Sequence, residues 1–199
     1  MQQPLSEILH FRQSQKAMRL TYVEPESPVT EAIRQRRGGR LDPLDRTLLH
    51  SLPVAGGWNQ LLGAIRTQTS VPANIRELAI CRIAALNEAW YEWQDHYPLA
   101  LAAGLQASLL QLVKKGKSWD LSGLEDYATG TLFWTVLRYI DCMTLDVHVP
   151  DSLFDDMRMW WNEKETVELT MIIASYNMVS RFLVALDIGE MNNAKPEEL

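Results

Sequence analysis

Cysteine is scarce in this chain, since its 199 residues include only Cys81 and Cys142, far apart and outside any recognised motif. The two cysteines therefore indicate neither a disulfide framework nor a zinc site, and a reducing compartment is the simpler expectation. Basic residues are also in the minority, because 25 acidic and 19 basic residues give a formal net charge of -6. This balance argues against a nucleic-acid-binding protein, which needs a basic face to neutralise phosphates.

Several motifs that mark common enzyme classes are missing from the sequence. It contains no Gly-x-Ser-x-Gly nucleophile elbow, no His-Glu-x-x-His motif and no glycine-rich phosphate loop or dinucleotide fingerprint. No cofactor is therefore expected. The first twenty residues contain no apolar run and lack the pattern of a secretory signal, which together with the cysteine content predicts a cytoplasmic protein.

No long segment is free of polar residues, and the most apolar one, residues 169–186, contains Asn177 and Arg181. It is better interpreted as a buried helix than as a membrane span, so no membrane partner is expected. No segment alternates over the length of a strand with β-branched enrichment. The sequence therefore predicts an all-α protein, a single-domain bundle of about nine helices.

Helix boundaries are predicted from capping residues, prolines and glycines. Ser27 before Pro28 and Asp42 before Pro43 are typical helix starts, with the first helix ending at Gly38. Capping-box patterns at 122–125 and 162–165 predict two more starts. We expect helices over 28–37 and 43–50, a third helix that ends at 66, and one helix on each side of residue 87. Further helices are expected over 108–115 and 122–145, from 150 through Trp160 and Trp161, and over 163–189.

A candidate site lies in the stretch from Glu77 to His96. Glu92 and His96 are four residues apart and therefore share one face of a helix. Trp90 and Trp93 flank Glu92, and an indole environment removes water from a carboxyl group and raises its pKa toward the range useful for proton transfer. The stretch therefore predicts an acid/base pair on one helix.

Glu77 joins this pair only if the chain breaks. On one straight helix it would lie about 22 Å from Glu92, at ~1.5 Å per residue. Asn87 is the predicted break, because Asn caps helix starts well. The sequence thus predicts two helices that bring Glu77, Glu92 and His96 to one largely buried pocket.

Two other interpretations of these residues stay open. A Glu and a His four residues apart occur on many solvated helix faces, where the pair contributes little. A metal could also bind there with Glu77 as a third ligand, as a catalytic zinc usually takes three protein ligands. We prefer the acid/base interpretation and expect no metal.

The same stretch resembles the core of the carboxymuconolactone decarboxylase family, within the alkylhydroperoxidase D-like superfamily. The matching pieces are Arg76-Glu77-Leu78-Ala79, Leu86-Asn87, Tyr91-Glu92-Trp93 and His96. The redox branch of the superfamily carries Cys-x-x-Cys-x-x-x-His, which places Ala89 and Glu92 at the cysteine positions. Residues 44–53 and 176–186 resemble a longer subgroup, so the resemblance covers a domain over about 20–190, with an N-terminal arm (1–19) and a polar tail (191–199).

This resemblance implies an all-helical homo-oligomer, a trimer or hexamer, with cofactor-free chemistry on a small-molecule substrate. The implied reaction is decarboxylation of a small oxygenated carboxylic acid or lactone, with Glu77, Glu92 and His96 as catalytic residues. Isomerisation or cyclisation of a lactone or polyketide-like substrate would use the same residues. A non-catalytic helical binding protein is a further alternative. No thiol peroxidase activity is expected, since neither Ala89 nor Glu92 can form a sulfenic acid.

Four further residues are predicted to contact substrate. Tyr91 and Trp93 flank Glu92, and His50 lies in the matched segment 44–53. Arg46, one turn before His50, could pair with a substrate carboxylate or with a nearby aspartate. The basic run 34–40 invites a phosphate-binding interpretation, but cations are common at helix C-termini and the following glycines end the helix.

Overall fold

The computed structural model describes residues 18–115 and 127–194, without the side chains of 127–130. Within these ranges the regular structure is entirely helical, as predicted, with no strand. The nine α-helices are α1 (Pro28–Arg36), α2 (Pro43–Leu48), α3 (Leu52–Thr67), α4 (Ala73–Leu86), α5 (Trp90–Ala102), α6 (Ala107–Lys114), α7 (Tyr127–Asp141), α8 (Asp151–Arg158) and α9 (Glu163–Leu186). A π-helical segment, Cys142–Asp146, extends α7, and a 3-10 turn, Ile188–Glu190, follows α9.

Two predicted helix starts are confirmed with their hydrogen bonds. The hydroxyl of Ser27 accepts from the backbone N–H of Thr30 at 3.0 Å, and Pro28 takes the first helical position. At α9 the capping box is complete, because Asn162 Oδ1 accepts from the N–H of Glu165 and the Glu165 carboxylate accepts from the N–H of Asn162, both at 3.0 Å. The capping pattern predicted at 122–125 lies outside the described residues.

Two predicted helix ends are wrong. α8 stops at Arg158 rather than continuing through Trp160 and Trp161, because Trp161 turns its side chain into the core and its carbonyl accepts from Arg158 Nη1 at 2.8 Å. α9 ends at Leu186, where Asp187 adopts a left-handed φ of 52°. The helix end predicted near residue 145 is confirmed, because the helical segment runs to Asp146, with its last part, from Cys142, in π-helical form.

Helix α4 is the centre of the bundle. It packs against α5, α6, α7 and α9, and its residues from Leu78 to Ala84 are all buried. Because apolar residues cover every side of this helix, it must be enclosed by neighbours. The one cation in this run, Arg82, forms a buried ion pair with Asp141, with N–O distances of 2.8 and 2.7 Å.

Helix α9 is long and apolar enough to span a membrane by length and composition, with a mean hydropathy of 1.5 over its most apolar window. In the bundle one face of α9 packs against α4 and buries Leu169, Ile172, Ile173 and Tyr176. The opposite face leaves Val167, Met171 and Met178 exposed. Its buried face agrees with the prediction of a core helix.

Candidate active site

The predicted break between the two site helices is confirmed at residues 87–89. α4 ends at Leu86 and α5 begins at Trp90, and Glu88 between them has a left-handed φ of 53°. The predicted capping role of Asn87 is wrong, because its amide does not cap α5. Instead Nδ2 donates to Ser180 Oγ at 2.7 Å and to Asn177 Oδ1 at 3.2 Å, so the turn is tied to α9.

Glu77 and His96 form a buried pair across this break. Glu77 Oε2 lies 2.7 Å from His96 Nδ1, and Arg76 Nε donates to Glu77 Oε1 at 3.3 Å. Burial by itself raises the pKa of Glu77, but the hydrogen bond and charge of His96, followed by Arg76, outweigh burial and lower the pKa. Glu77 is therefore an ionised acceptor, which requires the proton on Nδ1 and leaves the lone pair of a neutral ring on Nε2.

Glu92 is buried without a hydrogen-bond partner. Glu92 is only 2% exposed, and neither oxygen of its carboxyl group has a hydrogen-bond partner among the described residues. Burial raises the pKa of Glu92 well above its usual range, Arg66 opposes this effect, and Asp95 adds to it. The raised pKa favours the protonated carboxylic acid, in agreement with the pKa direction predicted from its apolar surroundings.

All three residues line one cavity of about 590 Å³. Its lining includes larger apolar residues, Leu44, Leu99, Val179 and Leu183. The remainder carries charge, including the acidic Asp42 and Asp95 and four arginines, Arg37, Arg40, Arg66 and Arg76. The cavity therefore combines a carboxyl group of raised pKa, the hydrogen-bonded Glu77–His96 pair and cations with apolar residues.

Arg66 is a site residue that sequence reasoning missed. It lies in the last turn of α3, and its Nε donates to the hydroxyl of Tyr176 on α9 at 2.8 Å. The ring of Tyr176 in turn meets the ring of His96 edge-on, with 5.2 Å between centroids. No local pattern predicts this arrangement, because residues 66 and 176 are 110 positions apart.

Tyr91 lies in the cavity wall, as predicted for a substrate contact. Its position is fixed from behind by Gly189, where an added Cβ would lie 2.6 Å from Tyr91 Cδ2. Gly189 also has a φ of 69°, which side chains rarely adopt. The 3-10 turn after α9 therefore supports one wall of the site.

The structure does not bring the other three predicted substrate contacts to this cavity. Trp93 is 1% exposed and stacks on Tyr97, so it belongs to the core. His50 Nε2 lies 2.8 Å from the carbonyl of Thr21. Arg46 pairs with Glu24 at 2.9 Å. His50 and Arg46 thus hold the N-terminal segment, an interaction that their spacing in the sequence does not reveal.

The described residues around the cavity offer neither a reactive thiol nor a cluster of metal ligands. Cys81 is fully buried in α4, and burial, followed by the charges of Glu77 and Glu92, raises its pKa. Ala89, at one of the two cysteine positions of the redox branch, is 1% exposed. In the part of the chain that the structure describes, no group of three or more His, Cys, Asp or Glu side chains is arranged to hold a metal ion.

No protein-family model and no curated protein matches this sequence. Several solved structures share its fold, among them the following two. An uncharacterised peroxidase-related protein from Silicibacter sp. TM1040 aligns with a TM-score of 0.69 and 12% identity, over 90% of this chain and 96% of that chain. The debrominase Bmp8, in complex with 2,3,4-tribromopyrrole, aligns with a TM-score of 0.64 and 18% identity, over 92% and 99%. The chain therefore has the alkylhydroperoxidase D-like helical fold that the sequence resemblance implied.

Proposed function

We propose that this protein is a cofactor-independent acid/base enzyme that decarboxylates a small oxygenated carboxylic acid or lactone. The observation that carries the proposal is the buried, unpartnered carboxyl of Glu92 in the same cavity as the Glu77–His96 pair. A buried polar group without a partner costs about 1–3 kcal/mol. An unpartnered carboxyl that remains beside a cavity despite this unfavourable free energy is consistent with a group whose hydrogen-bond partner is a bound ligand.

The chemistry needs an acid at the end of the reaction. Loss of CO2 breaks the bond to the carboxylate carbon, and its electron pair moves into a conjugated carbonyl to give an enolate. The enolate carbon must then take a proton, which Glu92 already carries at rest. Water returns a proton to Glu92 afterwards, so each turnover consumes one proton and releases one CO2.

The apolar wall suits the departing carboxylate. A carboxylate held against Leu99, Val179 and Leu183 loses hydration, which raises its free energy relative to the uncharged CO2 that leaves. Charge moves at the same time to the carbonyl oxygen of the substrate. The charged residues of the same lining can stabilise that oxygen.

Glu77 keeps the His96 ring in one orientation. By accepting from Nδ1–H at 2.7 Å, it fixes the proton on that nitrogen and makes Nε2 of the neutral ring a base. In decarboxylation His96 would hold a hydroxyl or carboxylic proton of the substrate. Because His96 lines the same cavity as Glu92, a proton can also reach the enolate through His96.

A second reaction, isomerisation of a lactone or a related cyclisation, is favoured by one specific feature. The cavity holds both a base, His96 Nε2, and an acid, Glu92, so a proton can leave one substrate carbon while another carbon takes a proton. The bound 2,3,4-tribromopyrrole of the similar debrominase supports a small cyclic ligand in either case. The product separates the two reactions, because only decarboxylation releases CO2.

The test is hydrogen–deuterium exchange of a simple unsaturated γ-lactone in D2O, followed by NMR, since this runs the final proton transfer in reverse. Wild type should accelerate exchange, and Glu92→Gln or His96→Ala should slow it by roughly 10²–10⁴-fold. Gln94→Ala, an exposed position on the same helix, is the matched control. A panel of lactone carboxylic acids, assayed for CO2 and for isobaric products, then identifies the reaction.

Exchange that is no faster than in buffer would contradict the acid/base proposal and favour a helical binding protein. Exchange that persists in both Glu92→Gln and His96→Ala would place the chemistry elsewhere. The assembly proposed with this function is a homo-oligomer, supported by the exposed apolar face of Val167, Met171 and Met178 on α9. Sedimentation of the purified chain measures its size.

A further inference from the structure

Arg66 is held in place by a neutral partner. Its Nε donates to Tyr176 Oη at 2.8 Å, and its guanidinium carbon lies 5.8 Å from the centre of the Tyr176 ring. Burial raises the pKa of Tyr176 to about 12, with Arg66 opposing the effect, so the phenol keeps its proton at neutral pH. The Arg66–Tyr176 pair therefore carries the full positive charge of the arginine, because the neutral phenol does not compensate it.

The other arginines of the cavity already have acidic neighbours. Arg37 pairs with Asp42 and with Asp45, Arg76 pairs with Glu77, and Arg40 is mainly exposed near Asp42. Arg66 differs from all of them, because it forms no ion pair with any carboxylate of the described residues.

The terminal nitrogens of Arg66 are thus available to a ligand. Only Nε has a hydrogen bond to a described residue, and neither terminal nitrogen is buried and unsatisfied. Guanidinium nitrogens presented in a fixed plane bind carboxylate or enolate oxygens well. A cation that is fixed, unpaired and in a cavity wall has the properties of an anion-binding group.

Arg66 also lines the same cavity as the proposed acid. Among charged groups, its positive charge has the largest effect on the pKa of Glu92. With the substrate in this cavity, an oxygen that becomes negative in the reaction can meet Arg66 while the enolate carbon, two bonds from that oxygen, faces Glu92. Fixed charges aimed at developing negative charge are among the strongest contributions to catalysis.

We propose that Arg66, positioned by Tyr176, receives the carbonyl oxygen that becomes the enolate, and not the carboxylate that departs. A carboxylate bound by Arg66 would be stabilised in the ground state, which would slow its loss. The substrate class is therefore a conjugated oxo acid or lactone acid in which the reacting carboxylate and the electron-accepting carbonyl are separate groups. The assignment to the reaction rests on the proposed function, whereas binding of an anion at Arg66 does not.

The binding test uses benzoate as a small anion and benzamide as its neutral counterpart, with affinities taken from NMR titration. Benzoate should bind wild type, and Arg66→Gln should weaken it by roughly 10- to 100-fold, the effect of one charge-assisted hydrogen bond. Arg66→Lys should restore part of the affinity. Benzamide should bind all these variants equally.

Two further variants separate specific from general effects. Arg34→Gln is the matched control, because Arg34 also lies in the last turn of a helix, pairs with Glu24 and is not in the cavity wall. It removes the same net charge and should leave benzoate binding unchanged. Tyr176→Phe should weaken benzoate but not benzamide, since it removes only the hydroxyl that orients Arg66.

The outcomes of this test and of the exchange assay are independent. If folded Arg66→Gln binds benzoate as well as wild type does, or if wild type binds none, the inference is wrong even where lactone exchange depends on Glu92. Benzoate affinity that depends on Arg66 without any exchange activity would retain the anion site and refute the proposed function. In the exchange assay, Arg66→Gln should lower kcat more than it raises KM.

Discussion

Helix α4 carries buried charge on two sides, and the two sides differ in how completely their polar atoms are partnered. Arg82 donates to both carboxylate oxygens of Asp141 and, through Nη1, to the carbonyl of Val113 at 2.8 Å. On the cavity side, Glu77 is bonded to His96, but Glu92 has no partner for either oxygen. Arg82 and Glu92 are similarly buried, so burial does not explain why only Glu92 lacks hydrogen-bond partners.

The comparison separates a structural from a functional use of buried charge. A fully bonded network holds elements together, and Arg82 joins α4 to α7 and to the end of α6. An unpartnered acid beside a cavity adds nothing to stability and is useful only when something else enters. The predictions below test this difference first in stability and then in reactivity.

The largest expected effect is on the structural side, for Asp141→Ala. This change leaves the guanidinium of Arg82 buried without its carboxylate, and breaking a buried pair in this way costs about 3–5 kcal/mol. Urea unfolding of the variant should show that loss in the free energy of unfolding. Lys164→Ala, which removes a mainly exposed ion pair with Glu168, should cost much less. Similar losses for both variants would contradict the structural role of the Arg82 pair.

A smaller effect, of opposite sign, is expected for Glu92→Gln. The pKa of Glu92 is raised in the folded state, so the folded protein binds more protons than the unfolded chain at pH values above the unfolded pKa of about 4.3. Wild type therefore loses stability as pH rises through that window, by up to about 1.4 kcal/mol per pH unit, until the folded pKa is passed. The variant lacks this dependence.

Urea unfolding of wild type and Glu92→Gln between about pH 5 and pH 8 measures the difference. Relative to wild type, the variant should become more stable as pH increases, although its lactone exchange is slow. A constant difference between the two proteins across this range would mean that Glu92 is ionised in the folded state, which would remove the proposed proton donor.

No effect is expected for Cys81→Ser in a peroxidase assay, which makes this the smallest of the predicted changes. The thiol is fully buried and its pKa is raised, so the thiolate that attacks peroxides does not form. Wild type should consume alkyl hydroperoxide with a dithiol no faster than a control protein, and the variant should be no slower. Dithiol-dependent turnover that Cys81→Ser abolishes would assign the chain to the redox branch of its fold.

The features predicted from the sequence are those that depend on neighbouring residues. The caps at Ser27 and Asn162 involve residues three positions apart, and the spacing from Glu92 to His96 fixes a helix face. The break near Asn87 was predicted in the right place but for the wrong hydrogen bond, because the partners of Asn87 come from α9.

What the sequence could not show is which distant groups meet. Arg66 reaches the cavity from α3 and is held there by Tyr176 of α9, and no spacing rule connects the two. His50 and Arg46 lie in a segment that resembles the family, yet their partners are Thr21 and Glu24 in the N-terminal segment. Side chains of the same type are therefore assigned to binding or to structure only by their tertiary neighbours.

The left-handed turn at Glu88 has a consequence for how chain length can vary. Only residues 87–89 separate α4 from α5, so Glu77 and His96 keep their 2.7 Å contact through a spacer of fixed length. One inserted residue would turn α5 by about 100° about its axis, which moves His96 and Glu92 away from the cavity. Insertions and deletions are therefore tolerable in the loops far from this turn, whereas a change of a single residue here would dismantle the site without touching any of its side chains.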